Sequence, residues 1–331
     1  FPFIFILLWS SAFITTIPII DNSDPFSALA FRFSLVALGF FLFSIYSKKK
    51  IIIDRKNFFE SFFSGVLFHG VYLGGVFFSI SKGMPTGIAA LIVTLQPILT
   101  NALSGPILNE KVSLKQWIGV LLGFSGAVMV LGFDIGSEIP TIGLVATVVA
   151  LIAITTSTIW QKKLSNNLPL SVSNMNQALG GFIFHIIIII LFAEPYINFS
   201  TTFIIAMSHQ IFLVSFGAFT ILMFLIKKNS ASKTVSIFFL VPPTSAFMAW
   251  LFLNESLSNL DLLGFLINLP FVETEVLPST GALVVVTIIS SHGFCRMKML
   301  KPTSLMASSL TKWNVLNDVD AISTTLIPVN G

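Results

Sequence analysis

Charge is what this chain has least of. Asp, Glu, Lys and Arg make up 10% of its 331 residues, where an ordinary soluble domain carries roughly 25%. A soluble fold could not shield 55% hydrophobic residues from water with so few charges. Lipid removes the difficulty, because side chains facing hydrocarbon need no polar cover. Cysteine is almost missing as well. With Cys295 alone, neither a disulfide framework nor a cysteine-based metal site can be built. The sequence holds no Walker loop, no His-x-x-x-His pair and no Gly-x-Ser-x-Gly turn, so nothing points to ATP-driven pumping or to those hydrolytic chemistries. The net charge of +4 could suggest an acidic partner. Its basic residues, however, sit in short clusters between apolar runs, which fits a membrane surface better than a nucleic acid.

What is present is apolar sequence in blocks. A spanning helix needs about 20 mostly apolar residues. Nine runs qualify: Pro2–Ile20, Phe26–Tyr46, Phe58–Ile80, Thr86–Gly105, Trp117–Phe133, Ile142–Trp160, Asn174–Phe192, Ile211–Ile226 and Thr234–Leu253. A tenth begins at Leu260 but is interrupted by Pro270, Glu273, Glu275 and Pro278. The chain opens inside an apolar run at Phe1 without an initiator Met. It is therefore read as lacking its first few residues, and a signal peptide is not expected. The loops alternate in charge. Even-numbered loops carry twelve basic residues, among them Lys48, Lys49, Lys50, Lys162, Lys163, Lys227 and Lys228; odd-numbered loops carry one, Lys82, alongside Asp21, Asp24, Asp134, Glu138, Glu194 and Glu255. The positive-inside rule then predicts a multi-pass protein of a bacterial-type plasma membrane with a cytoplasmic N-terminus.

The two halves echo each other at an offset of 145 positions. Leu108-Asn109-Glu110 matches Leu253-Asn254-Glu255, Pro97 matches Pro242, and Gly119 matches Gly264. Ser113-x-x-Gln116 and Ser258-x-x-Asp261 are capping-box patterns in the same register. The repeating unit has five helices, so the second copy must enter the membrane from the opposite side. Such inverted repeats characterise secondary transporters.

The residues that carry the repeat also resemble a known family. Leu8-Trp9-Ser10-Ser11-Ala12-Phe13, Leu29-Ala30-Phe31-Arg32-Phe33, and the run from Ala89-Ala90-Leu91 through Gln96-Pro97 to Leu108-Asn109-Glu110, Gly119, Gly123, Gly126 and Ala127 are similar to the EamA-type branch of the drug/metabolite transporter superfamily. The likeness covers about residues 1–268. It implies an all-α integral membrane protein, a ten-helix bundle of two inverted five-helix repeats, here with an atypical tenth helix. It also implies a carrier of amino acids or related metabolites, often an exporter. The expected organisation is a first repeat over 1–133, a second over 141–269 and an atypical segment over 270–331. The expected partners are a small-molecule metabolite and the lipid bilayer, with a proton or a counter-substrate left open as coupling partner. Oligomeric state is left open, and no cofactor, metal or nucleic acid is expected. The alternative is a polytopic membrane protein that does not transport, an embedded enzyme or a sensor. Such an enzyme should cluster acids or histidines within its spans, and none are clustered here.

Within the spans, the candidate substrate contacts are Trp9, Arg32, His69, Tyr72, Gln96, Pro97, Asn101, Trp160, Gln177 and Pro242; no catalytic residue is expected. Proline lacks a backbone donor, so Pro97, Pro242 and Pro243 should leave the carbonyls of Val93, Phe238 and Phe239 unpaired. Such groups are tolerated in a membrane only beside protein or water. Arg32 lies about two turns inside its helix. It would either attract a carboxylate within a cavity or snorkel to the interface. His69 and Tyr72 share a helix face. Trp9 and Trp160 offer apolar walls with one donor each. Asn174, Asn176 and Gln177 sit near an interface, and His185 is deep enough to bond to a neighbouring helix. As a set these predict a polar, largely uncharged cavity suited to a zwitterion.

Overall fold

The computed structural model describes residues 2–131, 139–164, 168–192, 194–253, 263, 283–288 and 295–300. It divides into two units, Phe1–Val276 and Leu277–Gly331. In the first unit, the described residues form nine helical segments. These are α1 (Pro2–Ile20), α2 (Pro25–Tyr46), α3 (Arg55–Ser81), α4 (Thr86–Val93 continued by Gln96–Leu108), α5 (Leu114–Leu131), α6 (Thr141–Leu164), α7 (Leu170–Phe192), α8 (Thr201–Lys228) and α9 (Ala231–Ser236, Ile237–Leu240 and Val241–Leu253). Seven are long and apolar enough to cross a membrane. The second unit contains an antiparallel pair, β1 (Leu283–Ile288) and β2 (Cys295–Leu300). Its first strand is the β-branched run Val284-Val285-Val286-Thr287-Ile288, which suits a pleated surface. The predicted start of a tenth helix, Glu255, and the capping pair Ser258 and Asp261 lie outside the described residues.

Large apolar side chains face outward, and polar side chains share the interior with an apolar core. Ile190 is 75% exposed and Phe212 65%, whereas Ser10, Ser64, Asn174 and His185 are fully buried. Polar side chains in hydrocarbon seek one another or a neighbouring backbone. Asn176 donates to Ser61 across α7 and α3 (3.1 Å), and Asn174 donates to Thr220 of α8 (3.3 Å). These asparagines, expected near an interface, are therefore interhelical ties in the core.

Local sequence sets the ends. Asp54 caps α3, accepting from the side-chain and backbone amides of Asn57, which hold its carboxyl below the ordinary value. Ser113 and Gln116 form the predicted reciprocal capping box of α5. The Leu-Asn-Glu motif acquires a physical meaning. Asn109 adopts a left-handed conformation (φ 56°) that ends α4, as asparagine tolerates better than most residues. The turn carries Glu110 to the start of α9, where its carboxylate accepts from the amides of Ala231 (2.9 Å) and Ser232 (3.3 Å). A negative group satisfying orphan amides at a helix start contributes about 1 kcal/mol. Glu110→Ala should lower the melting temperature in detergent by about 2–4 °C, with Glu110→Gln falling between; an unchanged melting curve would remove the capping role.

α1 packs on α8 and α9, while α6 packs on α3 and α4; α2 and α7 lie against each other. Exchanging the first five elements for the second maps one set of contacts onto the other. The distortions obey the same exchange. α3 is π-helical over Val66–Tyr72 and α8 over Gln210–Ala218. α4 resumes at Gln96 and α9 at Val241, 145 positions apart.

Candidate functional site

The distorted helices, with α1 and α2, line a cavity of about 360 Å³, at the small end of the roughly 300–1,000 Å³ usual for ligand pockets. Its wall comes from α1 (Trp9, Thr16), α2 (Arg32), α3 (His69, Tyr72), α4 (Thr94, Gln96), α8 (Gln210, Ser215) and α9 (Phe238, Pro242, Ser245). At one side the rings of Phe5, Trp9 and Phe238 meet edge to face or tilted, with centroids 5.3–5.4 Å apart. Phe68 adds a further edge contact to Trp9. Trp9, Phe68 and Phe238 form an apolar floor of the cavity, with Phe5 packed against Trp9 and Phe238.

Each break has a local cause. In α4 the hydroxyl of Thr94 donates to the carbonyl of Ala90 (2.7 Å), competing with the next helical turn. Gln96 and Pro97 then begin a new helical piece, where the missing proline amide costs nothing. In α9 the segment Ile237–Leu240 tightens into a 3₁₀ turn, so the amide of Val241 bonds the carbonyl of Phe238. That carbonyl, expected to be left unpaired by Pro242, is thus satisfied by tighter winding. In the π-helical stretch of α3 the amide of Leu73 reaches Gly70 and Phe68. The carbonyl of His69 instead accepts from Nε2 of His185 (2.9 Å). A carbonyl only accepts, so the hydrogen of His185 lies on Nε2.

Six of the ten sequence-derived candidates converge on the cavity: Trp9, Arg32, His69, Tyr72, Gln96 and Pro242. Arg32 is 4% exposed; it faces the cavity instead of snorkelling. The other four lie elsewhere. Pro97 is buried behind Gln96. Asn101 accepts from the hydroxyl of Ser232. Trp160 packs on Phe63, centroids 5.5 Å apart. Gln177 accepts from Gln161 (2.8 Å). Sequence reasoning missed Ser215, Gln210 and His209. Gln210 donates to the carbonyl of Ala12 and the hydroxyl of Thr15, both 2.9 Å. His209 bonds the hydroxyls of Ser11 (3.0 Å) and Thr15 (3.3 Å). The polar triplet Ser208-His209-Gln210 reads as a loop, and α8 was expected to start only at Ile211. The available signal was Ser200, whose hydroxyl caps the true start at Thr201.

Comparison with known proteins decides what carries this cavity. The profile of the EamA-like transporter family matches residues 2–132 and again 141–270. The chain belongs to the EamA-like transporter family. Together with the apolar helices, membership makes it an integral multi-pass membrane protein of the drug/metabolite transporter superfamily. Among curated relatives of this EamA-type chain, the "Uncharacterized transporter YvbV" of Bacillus subtilis is 27% identical over 61% of this chain and 65% of its own length. The "WAT1-related protein At3g02690, chloroplastic" of Arabidopsis thaliana is 22% identical over 81% and 66% respectively. The matches thus span a little under two thirds of each relative. A "Probable amino-acid metabolite efflux pump" of Salmonella typhimurium is 28% identical over 28% of this chain and 32% of its own. A solved crystal structure superposes with a TM-score of 0.71 at 18% identity, covering 82% of this chain and 93% of the other. That likeness establishes the fold.

Proposed function

We propose that this EamA-type protein is a secondary transporter that exports small metabolites, amino acids or related compounds, by alternating access. The observation that carries the proposal is the cavity itself. It lies between α3–α4 and α8–α9, the four helices whose windings are distorted at corresponding positions. Helix breaks beside a cavity supply both binding groups and hinge points for rocking. In this reading residues 1–133 and 141–269 are the two moving repeats, with 270–331 outside them. Trp9, Arg32, His69, Tyr72, Gln96 and Pro242 contact the substrate. In this reading the membrane is a bacterial-type plasma membrane, and the lysine-rich loops support a cytoplasmic N-terminus. On the same reading the protein moves its ligand unchanged. An exported amino-acid metabolite is also what the Salmonella relative is named for.

The test is uptake and efflux of labelled metabolites in vesicles containing the protein, with a pH gradient imposed in one arm. Saturable movement of one class above empty vesicles is expected, and dependence on the gradient would make the coupling partner a proton. Indifference to every metabolite class would favour a non-transporting membrane protein instead.

A further inference from the structure

The cavity carries one formal charge, and its surroundings leave that charge uncompensated. Arg32 is 4% exposed. Its Nε donates to the hydroxyl of Ser215 at 2.9 Å, and its guanidinium carbon sits 5.3 Å from the ring centroid of Phe33. A guanidinium has five N–H donors in a planar fork. Among the described residues only the Nε donor has a protein acceptor. The terminal nitrogens of a side chain that lines the cavity are therefore left to whatever occupies it. Ser215 lies in the π-helical stretch of α8 and, by holding Nε, fixes the plane of the fork.

No aspartate or glutamate is found among the buried side chains of the described residues, and none lines the cavity. The other polar groups there are formally neutral imidazole, phenol, indole, amide and hydroxyl groups, among them those of His69, Tyr72, Gln96 and Gln210. A buried cation without a counter-ion is strongly unfavourable, and a carboxylate forms two parallel bonds to the free edge of the fork. An ammonium would meet only neutral acceptors. On the same small ligand it would also lie a few ångströms from Arg32, where like charges repel in a low dielectric.

We propose that the ligand of this cavity is a small organic monoanion, its carboxylate seated on Arg32, with Ser215 as the positioning residue, and that zwitterions and amines of the same shape are disfavoured. This rests on the transport reading and, among amino acids and related compounds, selects the related carboxylates over the amino acids themselves, replacing the zwitterion expected from sequence. An anion brings the net charge of the occupied cavity to zero, whereas a zwitterion leaves it at plus one.

The experiment measures equilibrium binding to the purified full chain in lipid nanodiscs. Two probe series keep one body and change the charge: 4-methyl-2-oxopentanoate, leucine and 3-methylbutylamine; and phenylpyruvate, phenylalanine and 2-phenylethylamine. In at least one series the oxo acid should bind at least about tenfold more tightly than the amino acid, and the amine should not bind. Arg32→Gln should abolish that preference. Ser215→Ala should keep the charge and the fold and weaken the oxo acid by about three- to tenfold. If Arg32→Gln fails to fold, unchanged oxo-acid affinity in Ser215→Ala overturns the assignment. A preference for the oxo acid below about tenfold, or none, in every series that binds overturns the monoanion class while the carrier reading stands. Binding of none of the six probes also overturns it, and the vesicle screen then judges the carrier reading separately.

Discussion

Gly180→Ala is expected to melt well below the parent protein and to reduce the yield of monodisperse material. α3 and α7 meet backbone to backbone. A Cβ on Gly180 would fall on the carbonyl of Phe62 and close to the amide of Val66; one on Gly65 would fall on the backbone of Gln177. Backbone cannot swing aside as a side-chain tip can, so the helices must separate. Two bonds across the same interface would then stretch, His185 to the carbonyl of His69 and Asn176 to Ser61. Overpacking costs about 1–3 kcal/mol, and each interhelical bond contributes about 0.6 kcal/mol. A loss of about 3 kcal/mol follows for Gly180→Ala and a similar one for Gly65→Ala. Gly105→Ala is the control. There the nearest atom to an added Cβ, the carbonyl oxygen of Glu110, is at an ordinary 3.8 Å, so the melting temperature should hold or rise. If Gly180→Ala melted together with that control, the close approach would not limit stability.

Much of the architecture was legible because lipid simplifies the code. A span must be apolar along its whole length, so α1 could be bounded at Pro2 and Ile20 from sequence. α8 was cut short because the rule fails where polar residues have partners. Ser11, Thr15 and the carbonyl of Ala12 satisfy His209 and Gln210, and those partners are nearly 200 positions away. The π-helical turns in α3 and α8 were not legible, since their residues are as apolar as their neighbours. The same limit divides the candidate site. His69 and Asn101 look alike in sequence, each a polar residue inside a span. What separates them is that His69 lines the cavity while Asn101 is occupied by Ser232. Ser215 could not be singled out at all. Its role exists only through its bond to Arg32, 183 positions away.

Replacing Pro97 or Pro242 by alanine is expected to slow transport at least tenfold, on the order of 1.4 kcal/mol, while leaving the protein as stable as before or more so. α4 and α9 resume at Gln96 and Val241, and each new piece contains its proline at the second position. Alanine restores an amide there. At position 97 the amide can bond the carbonyl of Val93; at 242 it can compete for that of Phe238, now taken by Val241. Each regular bond is worth about 1 kcal/mol, enough to favour continuous α-helix over the break in α4; in α9, where Pro243 still lacks an amide, the new bond shifts the winding at 242 without making the helix continuous. Straightening α4 would turn Gln96 away from Thr158, its present partner at 3.1 Å, and out of the cavity wall. Rewinding α9 at 242 would draw the carbonyl of Phe238 away from Val241 and shift the Phe238 ring that meets Trp9. In both cases the point at which one half of the helix can rock without the other is lost or altered. Pro106 is exposed and lies late in α4, so Pro106→Ala should transport normally and serves as the control for proline removal as such. The measurement is the transport rate of whichever metabolite the vesicle screen identifies, taken alongside the melting temperature of each variant. Parental rates in both Pro97→Ala and Pro242→Ala would mean that the breaks shape the resting bundle but take no part in moving substrate.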